Sequence, residues 1–375
     1  MVCQPHAHLL LENSGEKGDE IIGNSFTLVR HERENRESGG TKMKSGTNEW
    51  IPPTCLYRVQ VIVHLGCMHR IYCELHNDEN PGLNSYIETD KGPMNESKLT
   101  YRFGETTVEF GCRTYLMGIL NVTPDSFSDG GMFFDQTDAV LHAFQMVKDG
   151  ADIIDVGGES TRPGADHVTI EEEMKRVVPV VQKLRQKTKI PLSVDTYKSK
   201  VAAGALKAGA NIVNDITGLR GDPEMADVIA GAGASVVLMH IKGTPRDMQV
   251  NPVYDDLVGE VYDYLEGAVE TARSKGISQV MVDPGIGFGK TADHNLELIN
   301  RLAEFRKIGV PVLIGVSRKS FIGKILDTPV EARLEGTAAA VTASILRGAD
   351  IVRVHEVREM RRVAMVADAI RRQKV

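Results

Sequence analysis

Short apolar or β-branched runs recur along the chain over 115–120, 152–156, 191–194, 211–213, 235–239, 279–282, 311–315 and 350–354. Brief runs of this kind fit strands buried on both faces of a parallel sheet. Most are separated by stretches whose apolar residues share one helical face. Over 137–149 that face is Ala139, Val140, Ala143, Phe144, Met146 and Val147; over 293–308 it is Leu296, Ile299, Leu302 and Phe305. Gly150, Gly209, Gly233, Gly276, Gly309 and Gly348 stand just before the next run, where a short connection needs a left-handed helix stop. Strand and helix alternating eight times predict an α/β fold, a closed (β/α)8 TIM barrel. An open doubly wound sheet is the alternative.

Upstream of the barrel, 99–111 reads as two short alternating strands about a glycine turn, an N-terminal β-hairpin closing one end. Residues 1–97 differ. They lack sustained periodicity and contain polar runs such as 30–40, so they are expected to form a largely disordered extension to the catalytic domain, 98–375. Within the extension only 57–64 alternates, which predicts a strand or hairpin there. Met94 stands where regularity begins, and 94–375 alone would make a whole barrel. The first 93 residues therefore read as a mis-assigned start, which the N-terminal peptide of the native protein would test by mass spectrometry.

Composition narrows the function classes. A formal charge of -7 argues against a nucleic-acid groove, which needs a basic face. The first residues show no basic segment followed by an apolar core of the secretory kind, so a cytoplasmic location is expected. The five cysteines imply no disulfide framework, four of them (Cys3, Cys55, Cys67, Cys73) preceding the barrel. Cys67, His69, Cys73 and His76 have no recognised zinc spacing.

In such a barrel chemistry collects at the C-terminal ends of the strands, so the informative residues are the first polar ones after each apolar run. These are Asn121, the 157–162 loop, Asp195, Asn214 with Asp215, His240, Asp283, the segment Ser317-Arg318-Lys319-Ser320, and Arg353 with His355. Any one could be a loop turn or helix cap. Together they combine carboxylates, amides and cations suited to a flat polyamide-like heterocycle beside an anion. Arg353 and His355 alternate on one strand and so share a face; a phosphate would partner them, or an acidic barrel residue would. The glycine-rich Asp283–Lys290 segment lacks P-loop spacing.

The run Met117-Gly-Ile-Leu-Asn121-Val-Thr-Pro-Asp125-Ser-Phe127-Ser-Asp-Gly-Gly131 resembles the first signature of the dihydropteroate synthase family. Gly157-Gly-Glu-Ser-Thr161-Arg162-Pro163-Gly164 resembles the second, and further matches follow in family order to Arg353-Val-His355. The resemblance implies a transferase joining 6-hydroxymethyl-7,8-dihydropterin pyrophosphate to 4-aminobenzoate, giving 7,8-dihydropteroate and pyrophosphate in folate biosynthesis. It implies that Asp195, Asn214, Asp283 and Lys319 hold the pterin, and that Asn121, Arg353 and His355 hold the pyrophosphate, with Mg2+ on Asn121. Phe127, Thr161, Arg162, Pro163, Phe288 and Ser320 would line the aminobenzoate pocket, Lys319, Arg353, His355 and Asp195 being catalytic. A homodimer is expected on the same ground, without nucleic-acid or membrane partners. A pterin-dependent methyltransferase domain and a non-catalytic pterin-binding paralogue are the competing readings.

Overall fold

The computed structural model describes residues 99–123, 136–161, 164 and 167–373, with the backbone of 24–27 and 58–61. It has two units, Met1–Asn95 and Glu96–Val375. In the first, β1 (Asn24–Thr27) pairs antiparallel with β2 (Arg58–Val61), Phe26 in register with Val59. Within the alternation at 57–64, residues 58–61 form a strand, and its partner among the described residues lies upstream. The expected disorder, and the cysteines and histidines at 3, 55, 67, 69, 73 and 76, fall outside the described residues.

The second unit opens with the expected hairpin: β3 (Thr100–Phe103) and β4 (Thr106–Glu109) turn at Gly104, whose φ of 62° suits a residue without Cβ. Eight strands follow: β5 (Tyr115–Asn121), β6 (Ile153–Gly157), β7 (Leu192–Asp195), β8 (Ile212–Asp215), β9 (Ser235–Met239), β10 (Val280–Asp283), β11 (Leu313–Ile314) and β12 (Ile351–Val354). Between and after them run α1 (Gln136–Asp149), α2 (Ile170–Arg185), α3 (Ser199–Ala208), α4 (Met225–Gly231), α5 (Leu257–Ser274), α6 (Ala292–Asn300), α7 (Ser320–Leu326), α8 (Leu334–Leu346) and α9 (Val357–Arg371).

All the strands are parallel, in the order β10-β9-β8-β7-β6-β5-β12-β11. A parallel bridge between Val282 and Val312 joins the two ends, so the sheet closes and the open-sheet alternative falls. β11 starts later than its apolar run: Pro311 has no N–H to give to a ladder, and the Val312 N–H goes to Asp350 Oδ2 at 2.9 Å. The six glycines expected to stop helices all have positive φ, from 61° to 112°.

One helix departs from expectation. The stretch 293–308 was read as a single α-helix, but α6 ends at Asn300 and Leu302–Ile308 is a 3-10 helix. Ile299, Leu302, Phe305 and Ile308, all buried, recur every third residue, the period of a 3-10 turn rather than of an α-helix. Leu296, placed on the apolar face, is 43% exposed.

The hairpin plugs the N-terminal end of the barrel. Tyr101, Phe103, Val108 and Phe110 pack with Met117, Ile153, Ile212, Val237, Met281, Leu313 and Ile351, and Tyr101 donates a hydrogen bond to Val280 O at 2.8 Å. Each large apolar side chain so buried contributes about 1.5–3 kcal/mol. The neighbours of opposite parity, such as Leu116, Leu120, Ile154 and Val156, pack outward under the helices. No helix among the described residues is long and apolar enough to cross a membrane.

Candidate active site

Because side chains alternate along a strand, the residues that touch the plug fix which positions point inward. Two residues beyond Ile153, Ile212, Met281, Leu313 and Ile351 on that inner face stand Asp155, Asn214, Asp283, Gly315 and Arg353. Asn121, Gly157, Asp195 and Asn214 lie side by side in the register of β5, β6, β7 and β8. The barrel interior therefore changes from apolar to polar within one turn of the pleat, at the end away from the plug.

Arg353 is the hub of the polar layer. Its Nε donates to Asp155 Oδ2 at 2.6 Å and its Nη2 to Asp195 Oδ2 at 2.7 Å; Asn214 Nδ2 donates to the same Asp155 oxygen at 3.1 Å. Of the two partners open to Arg353, the structure shows the acidic one. Burial alone would lower the guanidinium pKa, but Asp155 and Asp195 outweigh it and the net shift is upward. The guanidinium has five N–H donors, so others remain for an anion. Asp155 Oδ1 and Asp195 Oδ1 are buried with no hydrogen-bond partner. Acceptors left this way mark a place where donors are expected to arrive.

Burial pushes the Asp195 carboxyl up to about 7, Arg353 opposing and Asp155 reinforcing. Asp283 is likewise raised by burial, against the pull of the Gly285 N–H on its Oδ1 at 2.7 Å and of Lys319. A carboxyl at about 7 in the fold and 3.8 without it binds a proton on folding between those pH values. Its contribution to stability is therefore largest at the acid end and declines as pH rises from about 4 to about 7. Asp195→Asn is expected to flatten that slope, read from melting temperature against pH for both proteins.

Two glycines hold space open in this layer. A Cβ on Gly157 would lie 3.5 Å from Asp195 Cβ and 3.9 Å from Asn121 Oδ1; one on Gly315 would lie 3.9 Å from Arg353 Cβ and 4.0 Å from Asp283 Oδ2. Lys319 runs along Gly287, Cδ at 3.2 Å from its built Cβ, with Nζ 4.2 Å from the centroid of the Phe288 ring. His355 is held by Ser317, whose Oγ lies 2.9 Å from Nδ1 and 3.3 Å from the His355 backbone N–H. Glu356 meets both Ser317 and Arg318, and Arg333 Nη1 donates to Arg318 O at 3.0 Å. That set of bonds steadies Arg318 at φ 56° and with it the placement of Lys319. Ser320 is exposed at the first position of α7, and Thr161 is half-buried beyond β6. Phe127, Arg162 and Pro163 lie outside the described residues.

Some strand-end residues turn away. Asp215 accepts the N–H groups of Thr217 and Leu219 and serves its own loop. His240 Nδ1 lies 2.8 Å from Lys290 Nζ, and both are buried. Burial, reinforced by Lys290, lowers His240 to about 2, so it is neutral; burial also pulls the Lys290 ammonium well below its usual range, and the two groups share one hydrogen bond. Lys290 also donates to Phe288 O at 3.0 Å, bracing the glycine loop instead of meeting a phosphate. Asp155 is a site residue that does not stand at a strand end, and Ser317, which does, acts through His355.

Against known proteins, the family model described as pterin binding enzyme matches residues 117–355. A dihydropteroate synthase of Synechocystis is 50% identical over 270 residues, covering 71% of this chain and 93% of that protein. The chain belongs to the dihydropteroate synthase family. Solved members agree in fold: the synthase of Clostridium difficile in the presence of pteroic acid superposes with a TM-score of 0.66 at 49% identity, covering 70% of this chain and 99% of its own. The Xanthomonas albilineans synthase with 4-aminobenzoic acid gives a TM-score of 0.67 at 42% identity, with coverage of 72% and 96%. As a dihydropteroate synthase family member the chain is a transferase of folate biosynthesis. In this family setting Gly315→Val is a direct test of the open space. A Cβ there makes only ordinary contacts, its nearest atoms lying at 3.9 and 4.0 Å, and the two methyl groups of valine extend beyond it, so a melting curve is recorded beside binding as the control for folding. Binding of a pterin ligand, read by calorimetry, is expected to weaken by roughly hundredfold, since the gap between Asp283 and Arg353 is filled.

Proposed function

We propose that the polar end of the barrel binds the pterin ring of 6-hydroxymethyl-7,8-dihydropterin pyrophosphate between Asp283 and Arg353, and transfers its methylene carbon to the amine of 4-aminobenzoate. The observation that carries this is the pair of buried, partnerless carboxylate oxygens on Asp155 and Asp195, in the same inward-facing polar layer that the side-chain-free Gly157 and Gly315 leave open. A pterin edge supplies the N–H donors those oxygens lack. Asp283 would accept from the amino-pyrimidine edge, Asn214 and Asp195 would complete the ring's hydrogen bonds, and Lys319 would donate to its carbonyl and ring nitrogen.

The pyrophosphate would lie toward Asn121, the remaining N–H groups of Arg353, and His355. Asn121 offers a hard amide oxygen beside Asp195, a donor that fits Mg2+, which commonly keeps few protein ligands when it shares substrate phosphates. When bound, the ion would neutralise charge on the leaving group. The protein's own part is electrostatic: Arg353 and His355 meet the charge that develops as the C–O bond breaks and its electron pair leaves with pyrophosphate. The cation left on the exocyclic carbon is delocalised into the ring, the arylamine nitrogen forms the C–N bond, and its proton passes to solvent. Thr161, Arg162, Pro163, Phe127, Phe288 and Ser320 would hold the aminobenzoate. A homodimer in the cytoplasm is the expected form, supported by Met365, Val366 and Ile370, which leave an apolar strip of α9 exposed.

Calorimetric titration of the substrate pyrophosphate with and without Mg2+ tests the assignment of Asn121. Wild-type protein is expected to bind more tightly with the ion, and Asn121→Ala to lose that difference; an undiminished Mg2+ effect in the variant would remove Asn121 from the metal's ligands.

A further inference from the structure

Beneath the β6–α2 connection lies a charged cluster that the reaction does not use. Lys198 is 6% exposed, and its Nζ lies 2.7 Å from Glu159 Oε2, 2.6 Å from Glu173 Oε2 and 2.6 Å from Val168 O. Glu173, on α2, is fully buried, and its Oε1 has no hydrogen-bond partner. Glu159 Oε1 accepts the Val168 N–H at 2.9 Å, and the Tyr197 hydroxyl lies 3.4 Å from the same oxygen. Two carboxylates thus share one ammonium, and burial raises the Glu173 carboxyl.

Apolar side chains of similar volume would fill such a place at no loss of stability, and often with a gain. What the cluster provides instead is direction. Glu159 is the first stem of the connection, just past β6, and Val168 is the second, just before Thr169 caps α2. One lysine bonds to both stems, and Glu159 bonds across to Val168, so the distance between them is set twice. Thr161 stands two residues from the clamped Glu159.

We propose that Lys198 is a positioning residue for the arylamine half of the reaction, tying Glu159 to Val168 so that Thr161 is presented to 4-aminobenzoate. The inference rests on the reading that Thr161 contacts that substrate. The test is steady-state kinetics of the full chain with each substrate varied in turn. Lys198→Met is expected to raise KM for 4-aminobenzoate by roughly tenfold or more, leaving KM for the pterin pyrophosphate within about twofold, the split that separates local misplacement from general damage. Because that variant leaves two buried carboxylates facing each other, Lys198→Met/Glu173→Leu is made beside it, and Lys198→Arg is expected to recover part of the loss. Thr161→Ala is the reference and should raise the same KM. A folded Lys198 variant with both KM values unchanged, or both changed alike, while Thr161→Ala raises KM for 4-aminobenzoate, overturns the inference alone. Thr161→Ala without effect overturns it together with the reading beneath it. Loss of the fold in both lysine variants assigns the cluster to stability and also overturns the proposal.

Discussion

Arg353→Met is expected to lower both turnover and stability. Asp155 and Asp195 meet the guanidinium at 2.6 and 2.7 Å, and removing the cation leaves two buried carboxyls without compensation. Breaking such a pair typically costs about 3–5 kcal/mol. The kinetic effect is separable, since loss of one preorganised donor to developing negative charge costs roughly 10²–10³ in kcat. Arg353→Lys keeps a cation but cannot span two carboxylates as a planar fork. It should therefore melt closer to wild type while kcat falls by about the same two orders of magnitude or more. Thermal melts and pyrophosphate release on the three proteins separate the effects. Normal turnover by a folded Arg353→Lys protein would take Arg353 out of the leaving-group site.

The second large effect is expected at Asp283→Asn. Asp283 Oδ2 borders the layer opened by Gly315, lying 4.0 Å from a built Cβ there, while Oδ1 accepts the Gly285 N–H. The amino-pyrimidine edge of a pterin presents two adjacent donors, which a carboxylate accepts together, whereas an amide turns one of its own donors toward them. Loss of a buried charge-assisted contact costs about 2–5 kcal/mol, so kcat/KM is expected to fall by roughly 30-fold to several thousandfold. The fold should survive, because Asn can still accept the Gly285 N–H that Asp283 Oδ1 takes at 2.7 Å. A melting curve superposable on wild type with unchanged kcat/KM would show that the ring is read elsewhere.

The barrel was legible because strands buried on both faces must be apolar throughout, and each ends where a polar residue can be tolerated. Asn121, Asp195, Asn214 and Asp283 were found by that rule, and the register of neighbouring strands brings the first three to one level. Asp155 escaped it because it lies inside its run, between Ile154 and Val156, although it shares parity with Ile153 and Gly157. Parity, followed inward from the plug, was the signal that could have found it. His240 and Lys290 carry the same chemical types as site residues, and only the geometry shows that they satisfy each other. The partners of Arg353 were equally out of reach, since one strand separates β6 from β12 and two separate β7 from it, and only the curved inner face brings the three side chains together. The α-helix expected over 293–308 holds to Asn300 and departs beyond it for a simpler reason: apolar spacing of three fits the α-period loosely and the 3-10 turn closely, and Leu302–Ile308 takes the latter.

Coupled turnover is the decisive measurement: release of pyrophosphate by the full chain with 6-hydroxymethyl-7,8-dihydropterin pyrophosphate and Mg2+, with and without 4-aminobenzoate. Release that depends on the arylamine, with 7,8-dihydropteroate appearing in equal amount, is the predicted result. A folded protein that binds the pterin pyrophosphate but yields no dihydropteroate would contradict it and leave a pterin-binding barrel without transfer.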